Sequence, residues 1–284
     1  MAKVPVGPML AALAIPIAVA AHATTWIEPA RPLSQNESLE LAVSECDAIG
    51  VGRITAVHDT LANVVHGVGI PVRSMTLEVS EWISGTPGTS VVEVGVPSAD
   101  NSPLFSDILL TQRLSDRHAM FFLNRAGTGW SLRAYPDPPA VQFIEPGAAS
   151  LAVANVRHAI ARQSPDSLMA RADLIVVGSS DQQASRCPSS APERECVTVQ
   201  VSNVLAGGPA PDSLRVYSVV VGEIPAGEAL YLLKRMPAGE YETVGFRSGS
   251  LSIRSERVDQ WDLTLDQVRA RLITTRAAPQ RTKP

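Results

Sequence analysis

Met75-Thr-Leu-Glu-Val-Ser-Glu-Trp-Ile-Ser-Gly85 has an echo further along the chain, Val197-Thr-Val-Gln-Val-Ser-Asn-Val-Leu-Ala-Gly207. In both, an apolar residue alternates with a polar one over five positions, two more apolar residues follow, and a glycine closes the run. A period of two marks a strand with one buried face, and the terminal glycine marks its turn. The recurrence identifies a duplicated β unit, and the flanking segments repeat in the same order.

Upstream lie Asp47-Ala-Ile-Gly-Val-Gly52 and Asp173-Leu-Ile-Val-Val-Gly178. A glycine at the fifth place after each Asp predicts a bulge or bend of the kind a small barrel needs at its corners. A short helix precedes each, over 38–46 with Leu39, Ala42, Val43 and Cys46 at helical spacing, and over 167–172. Downstream, Val92, Val94 and Val96 match Leu214 and Val216. Ala119-Met-Phe-Phe-Leu-Asn-Arg125 then matches Ala229-Leu-Tyr-Leu-Leu-Lys-Arg235, near-continuous apolar runs that predict a strand covered on both faces. An aromatic, Trp130 or Tyr241, opens the next strand, and residues 141–144 echo 251–253. Each copy closes with a helix. One starts at Ser150 with Val153, Val156 and Ile160 on one face. In the other, Thr264 and Gln267 form a capping box ahead of a Leu265, Val268, Leu272 stripe.

The predicted fold is mainly β: two tandem small closed β-barrels, each with a short flanking helix. The expected divisions are 1–23, a signal peptide; 24–37, a lead-in; 38–163 and 164–276, the two barrel repeats; and 277–284, a basic tail. Asp47/Asp173, Gly52/Gly178, Gly85/Gly207 and Arg125/Arg235 recur and are first read as structural. Function is expected where the copies differ.

Length and composition agree with this division. The chain has 284 residues, 45% hydrophobic and 18% charged, enough for two apolar cores. A formal charge of -4 argues against a nucleic-acid-binding surface. Lys3, the apolar stretch 9–21 and Ala21-His22-Ala23 form the three parts of a secretory signal, so the mature chain is expected to start at Thr24. The apolar stretch is shorter than the roughly 20 residues of a membrane span, and no later segment in the mature chain is long and apolar enough to cross. Localisation is read as periplasmic or secreted. In that oxidising compartment, Cys187 and Cys196 flank a polar loop and are read as a disulfide. The competing reading, a metal or redox pair, lacks a CxxC spacing and a nearby His. Cys46 is left over, as a buried thiol or as one half of an intermolecular disulfide.

The segments around Asp173–Gly178, Val197–Gly207 and Gly227-Glu-Ala-Leu-Tyr-Leu-Leu233 resemble the netrin-like module, the OB-fold barrel of the tissue inhibitors of metalloproteinases. The first copy is similar through Cys46–Gly52, Leu77–Gly85 and Ala119–Leu123, and uncharacterised secreted bacterial proteins share the strand pattern. The resemblance implies two OB-fold barrels. Those inhibitors act through an N-terminal Cys that chelates zinc. Here the expected mature terminus is Thr24, there is no Cys-x-Cys, and the inhibitory site has no counterpart.

The catalytic motif scan is negative: there is no G-x-S-x-G, H-E-x-x-H, phosphate loop or EF-hand spacing. His58, Asp59 and His66 fall in the first loop and form a weak metal-ligand candidate; His158 is read as a solvated helix residue. Ser106, His118 and Asp116 form a triad only on paper. The largest difference between the copies is the insertion at 97–117, which carries Leu104, Phe105, Ile108, Leu109 and Leu110 among charges. Long loops on rigid barrels carry binding function; the competing role is packing between the barrels. The expected function is an exported, non-enzymatic binding or interaction protein that contacts an unknown protein or envelope component through this insertion, with no cofactor. One alternative is a secreted hydrolase or metal-dependent enzyme using His118 or the His58/His66 loop. The other is a protease inhibitor acting through an unrelated loop.

Overall fold

A computed structural model of the chain describes residues 32–63, 69–85, 87–96, 118–133, 140–145, 147–187, 195–218 and 224–277. The first repeat comprises α1 (Gln35–Glu45), β1 (Ala48–Asn63), β2 (Gly69–Ser84), β3 (Val91–Val96), β4 (Ala119–Ala126), β5 (Gly129–Leu132), β6 (Val141–Phe143) and α2 (Ala149–Arg162). The second comprises α3 (Pro165–Arg171), β7 (Leu174–Arg186), β8 (Glu195–Ala206), β9 (Ser213–Tyr217), β10 (Gly227–Arg235) and β11 (Tyr241–Thr243). It continues through a 3-10 turn (Phe246–Gly249), β12 (Ser250–Arg254), β13 (Arg257–Val258), β14 (Leu263–Thr264) and α4 (Leu265–Ala277).

Pairing runs β1-β2-β3-β5-β4 and returns from β4 to β1, so the first sheet closes on itself. The second closes identically, β7-β8-β9-β11-β10 and back to β7. In both, one contact is parallel, β3 with β5 and β9 with β11, and the other barrel pairings are antiparallel. These are two closed five-stranded barrels in tandem, with the strand order of an OB-like fold. β6 and β12 add outside β4 and β10, and β13 and β14 extend only the second sheet.

The recurrent polar residues and glycines hold the seam of each barrel. Asp47 accepts the Arg125 backbone N–H at 2.7 Å, and Asp173 accepts that of Arg235 at 2.9 Å. The aspartate N–H groups donate back to Leu123 O and Leu233 O at 2.9 and 2.8 Å. Each Asp therefore ties the start of the first strand to the fourth at the line of closure. Gly85 and Gly207 end the second strand with φ of +64° and +102°, and a Cβ there would lie 2.3 Å from Asp47 O or 2.2 Å from Asp173 O. The pairing register shifts just before Gly52 and just before Gly178, the expected bend.

Two apolar layers explain the unbroken hydrophobic run of β4. Ala119, Phe121 and Leu123 face the barrel interior with Met75, Leu77 and Val94. Met120 and Phe122 face outward, under Ala42 of α1 and Val153 and Val156 of α2. The second repeat does the same: Ala229, Tyr231 and Leu233 point inward, and Leu230 and Leu232 lie under α3 and α4. Burial of each large side chain contributes about 2–3 kcal/mol. α4 opens with the expected capping box, Gln267 N to Thr264 Oγ1 at 3.2 Å and Thr264 N to Gln267 Oε1 at 2.9 Å, and buries Val268 and Leu272.

α1 begins at Gln35 rather than at 38, so the end of the 24–37 lead-in is helical. Ser34 Oγ accepts Glu37 N–H while the Glu37 carboxylate accepts Ser34 N–H, a capping box that starts the helix earlier than its apolar spacing indicates.

Tyr231 occupies the place of Phe121 in the first barrel, and its hydroxyl is buried with no hydrogen-bond partner among the described residues. A buried unsatisfied hydroxyl costs about 1–3 kcal/mol. Tyr231→Phe is therefore expected to raise stability by about 1 kcal/mol, read as a higher urea midpoint at unchanged slope. A lower midpoint would mean that the hydroxyl has a partner.

Candidate functional site

The apolar residues nominated for binding, Leu104, Phe105, Ile108, Leu109 and Leu110, lie outside the described residues, as do Ser106, Asp116 and His66. The described chain fixes the two roots of their insertion. β3 ends at Val96 and β4 starts at Ala119, directly after His118. His118 is exposed, and its carbonyl accepts Ile144 N–H at 2.9 Å. His158 is an exposed residue of α2.

His58 and Asp59 are not loop residues. They belong to β1, opposite Ser74 and Arg73 of β2, because this hairpin keeps pairing past the barrel as far as Asn63 and Gly69. The flexible loop envisaged for a metal is thus, at these two positions, a paired strand.

Cys187 and Cys196 form a disulfide, with Cα atoms 5.0 Å apart, that joins the end of β7 to β8. Together with buried Glu240 they are the one group of potential metal ligands among the described residues, and the disulfide occupies both sulfurs. Cys46 is a free, half-buried thiol at the C-terminal end of α1. Burial pushes it up to about 12 against the opposing pull of the nearby Arg133 guanidinium. Since the thiolate is the nucleophile, Cys46 should hold roughly a thousandfold less of it near neutral pH than an ordinary thiol. Iodoacetamide at pH 8 is expected to leave the native protein unlabelled and to label one site after denaturation, with the native rate climbing only as pH approaches 12. Rapid native labelling, followed by mass spectrometry, would contradict the raised pKa of this half-buried thiol.

The densest polar arrangement lies where the two repeats meet. Glu40 on α1 is 3% exposed, and its carboxylate is held by Arg162 of α2 and, at 2.9 Å, by Nη1 of Arg171 on α3. Arg171 Nη2 donates to Arg162 O at 2.8 Å, and Gln163 Nε2 lies 3.4 Å from the same carboxylate. One acid therefore ties the last helix of the first repeat to the first helix of the second. Beside it, Leu33 and Leu41 pack on Phe246 of the second repeat. Gly245, next to Phe246, lets this turn close on α3 of the same repeat, since a Cβ there would stand 2.3 Å from Leu168 Cδ2. A cleft of about 320 Å³ opens at this junction, lined among others by Glu40, Arg162, Arg171, Lys234, Glu242 and Thr243.

Sequence reading did not single out Glu40. Its one local signal is an acid between Leu39 and Leu41 on a helix that must bury both neighbouring faces. Arg162 and Arg171 lie far along the chain and carry no mark of their role. Comparison of the chain with protein-family models and with curated proteins finds no match.

Proposed function

We propose that the protein is an exported, non-enzymatic binding protein, periplasmic or secreted, built of netrin-like modules, and that residues 97–117 contact a protein or envelope component. One observation carries this reading. The two barrels share strand order, seam and layering, yet the third and fourth strands are joined by residues 97–118 in the first and by 218–226 in the second. The second barrel closes without the additional chain, so closure does not require it. An apolar-rich insertion on a rigid scaffold is a natural recognition element. The barrel order supports the netrin-like resemblance. The disulfide supports an oxidising compartment, and no described helix is long and apolar enough to cross a membrane.

The test is a crosslinked pull-down from native envelope extract with the mature chain and with a deletion of residues 99–115. A protein recovered by the former and lost with the latter is the expected result. Equal recovery by both baits, or none by either, would assign the insertion to packing and overturn the reading.

A further inference from the structure

We infer that the cleft between the repeats binds a small oxyanion, a carboxylate or a phosphate, independently of the insertion. The ground is a mismatch between donors and acceptors in its walls. Each carboxylate of the lining already accepts a hydrogen bond, although Gln163 Oε1, beside Gly245, is a buried acceptor without a partner among the described residues. Glu40 holds Arg162 and Arg171, Glu242 accepts the Tyr217 hydroxyl at 2.6 Å, and Glu37 caps α1 by accepting from Ser34. Several donors remain uncommitted. Lys234 is exposed and has no ion-pair partner among the described residues. Arg162 reaches Glu40 through Nε, which leaves its Nη groups over. Arg171 Nε and Thr243 Oγ1, on two of the lining residues, are buried with no partner among the described residues.

Surplus N–H and O–H donors around a space of about 320 Å³ suit an acceptor-rich anion, because charge-assisted hydrogen bonds are about twice as strong as neutral ones. Arginine adds a planar fork matched to carboxylate and phosphate oxygens. The volume is at the lower end for ligand sites and takes a small ligand. The polar, charged lining fits an ion better than an apolar metabolite. Donors come from both repeats, α2 of the first and α3, β10 and β11 of the second, so one bound anion bridges the two barrels.

The experiment is isothermal titration of the full chain with sodium phosphate and with sodium succinate, against sodium chloride at equal ionic strength. Saturable binding with Kd below about 1 mM is expected for at least one oxyanion and not for chloride. Phosphate alone would identify a phosphate-type ligand, and succinate alone a carboxylate. Lys234→Ala is expected to weaken that binding about tenfold, the effect of one charged contact, and Thr243→Val to weaken it as well. Arg254→Ala, an exposed residue paired with Asp259 outside the cleft, should bind as the parent does. Circular dichroism melts of the ligand-free variants establish that each is folded. No saturable binding, binding shared by chloride, or a folded Lys234→Ala protein with the parental Kd would each overturn the proposal.

Discussion

Gly85→Ala is expected to destabilise the first barrel by about 3 kcal/mol, among the largest effects of any single methyl group in the chain. Two costs add. The residue sits at φ +64°, where a Cβ costs about 1–2 kcal/mol in left-handed backbone. The new Cβ also stands 2.3 Å from Asp47 O and 2.9 Å from Ala48 Cα, so the seam itself has to move, and overpacking of this kind costs about 1–3 kcal/mol. Gly88→Ala separates the two costs. That glycine has φ +85° with nothing within 4 Å of an added Cβ, so only the backbone term of about 1–2 kcal/mol applies. Urea denaturation of both variants gives the difference. Equal losses would mean that the strand end does not constrain barrel closure. Gly207→Ala, 2.2 Å from Asp173 O, should repeat the Gly85 result in the second barrel.

Glu40→Gln is expected to cost about 2–3 kcal/mol and to loosen the coupling between repeats. The carboxylate is almost fully buried, and removal of one partner from a buried ion pair costs about 3–5 kcal/mol. Solvent discounts that range here, since the Arg162 and Arg171 side chains are 41% and 26% exposed. The amide keeps one acceptor and turns an N–H group toward a guanidinium, so a donor faces a donor. Urea unfolding should show a lower midpoint, and the two barrels should separate into distinct steps as their ionic tie is lost. Arg171→Met and the double variant complete a cycle whose coupling energy should be about 1–3 kcal/mol. A coupling near zero would show that Leu41 and Phe246 hold the junction unaided.

Much of the barrel was legible in the linear chain because it rests on short-range rules. The period-two runs ending at Gly85 and Gly207, the doubly covered strands at Ala119 and Ala229, and the Thr264/Gln267 cap are patterns within a few residues of one another. The Cys187–Cys196 loop was equally local. Recurrence strengthened the strand runs and their glycines, because a feature present in both copies marks what the fold needs; the cap and the disulfide belong to the second copy alone. Local rules also misplaced two boundaries. The Ser34/Glu37 cap moved α1 forward, and the loop reading at His58 gave way to a hairpin that continues past the barrel.

The candidate site was far less legible. Glu40, Arg162, Arg171, Lys234 and Thr243 come from five elements and share no spacing; their relation exists only once two closed barrels stand side by side. The sequence by itself determined the two successive β units, the strand and helix types, the bend glycines and the disulfide, because periodicity, capping and backbone freedom act over one turn or one strand. The tertiary structure alone decided which strands close the predicted barrel, β1 on β4, the parallel pairing of β3 with β5, and the burial of one carboxylate between two arginines. Those contacts join residues dozens of positions apart, and their energies come from packing and desolvation, which no local pattern encodes.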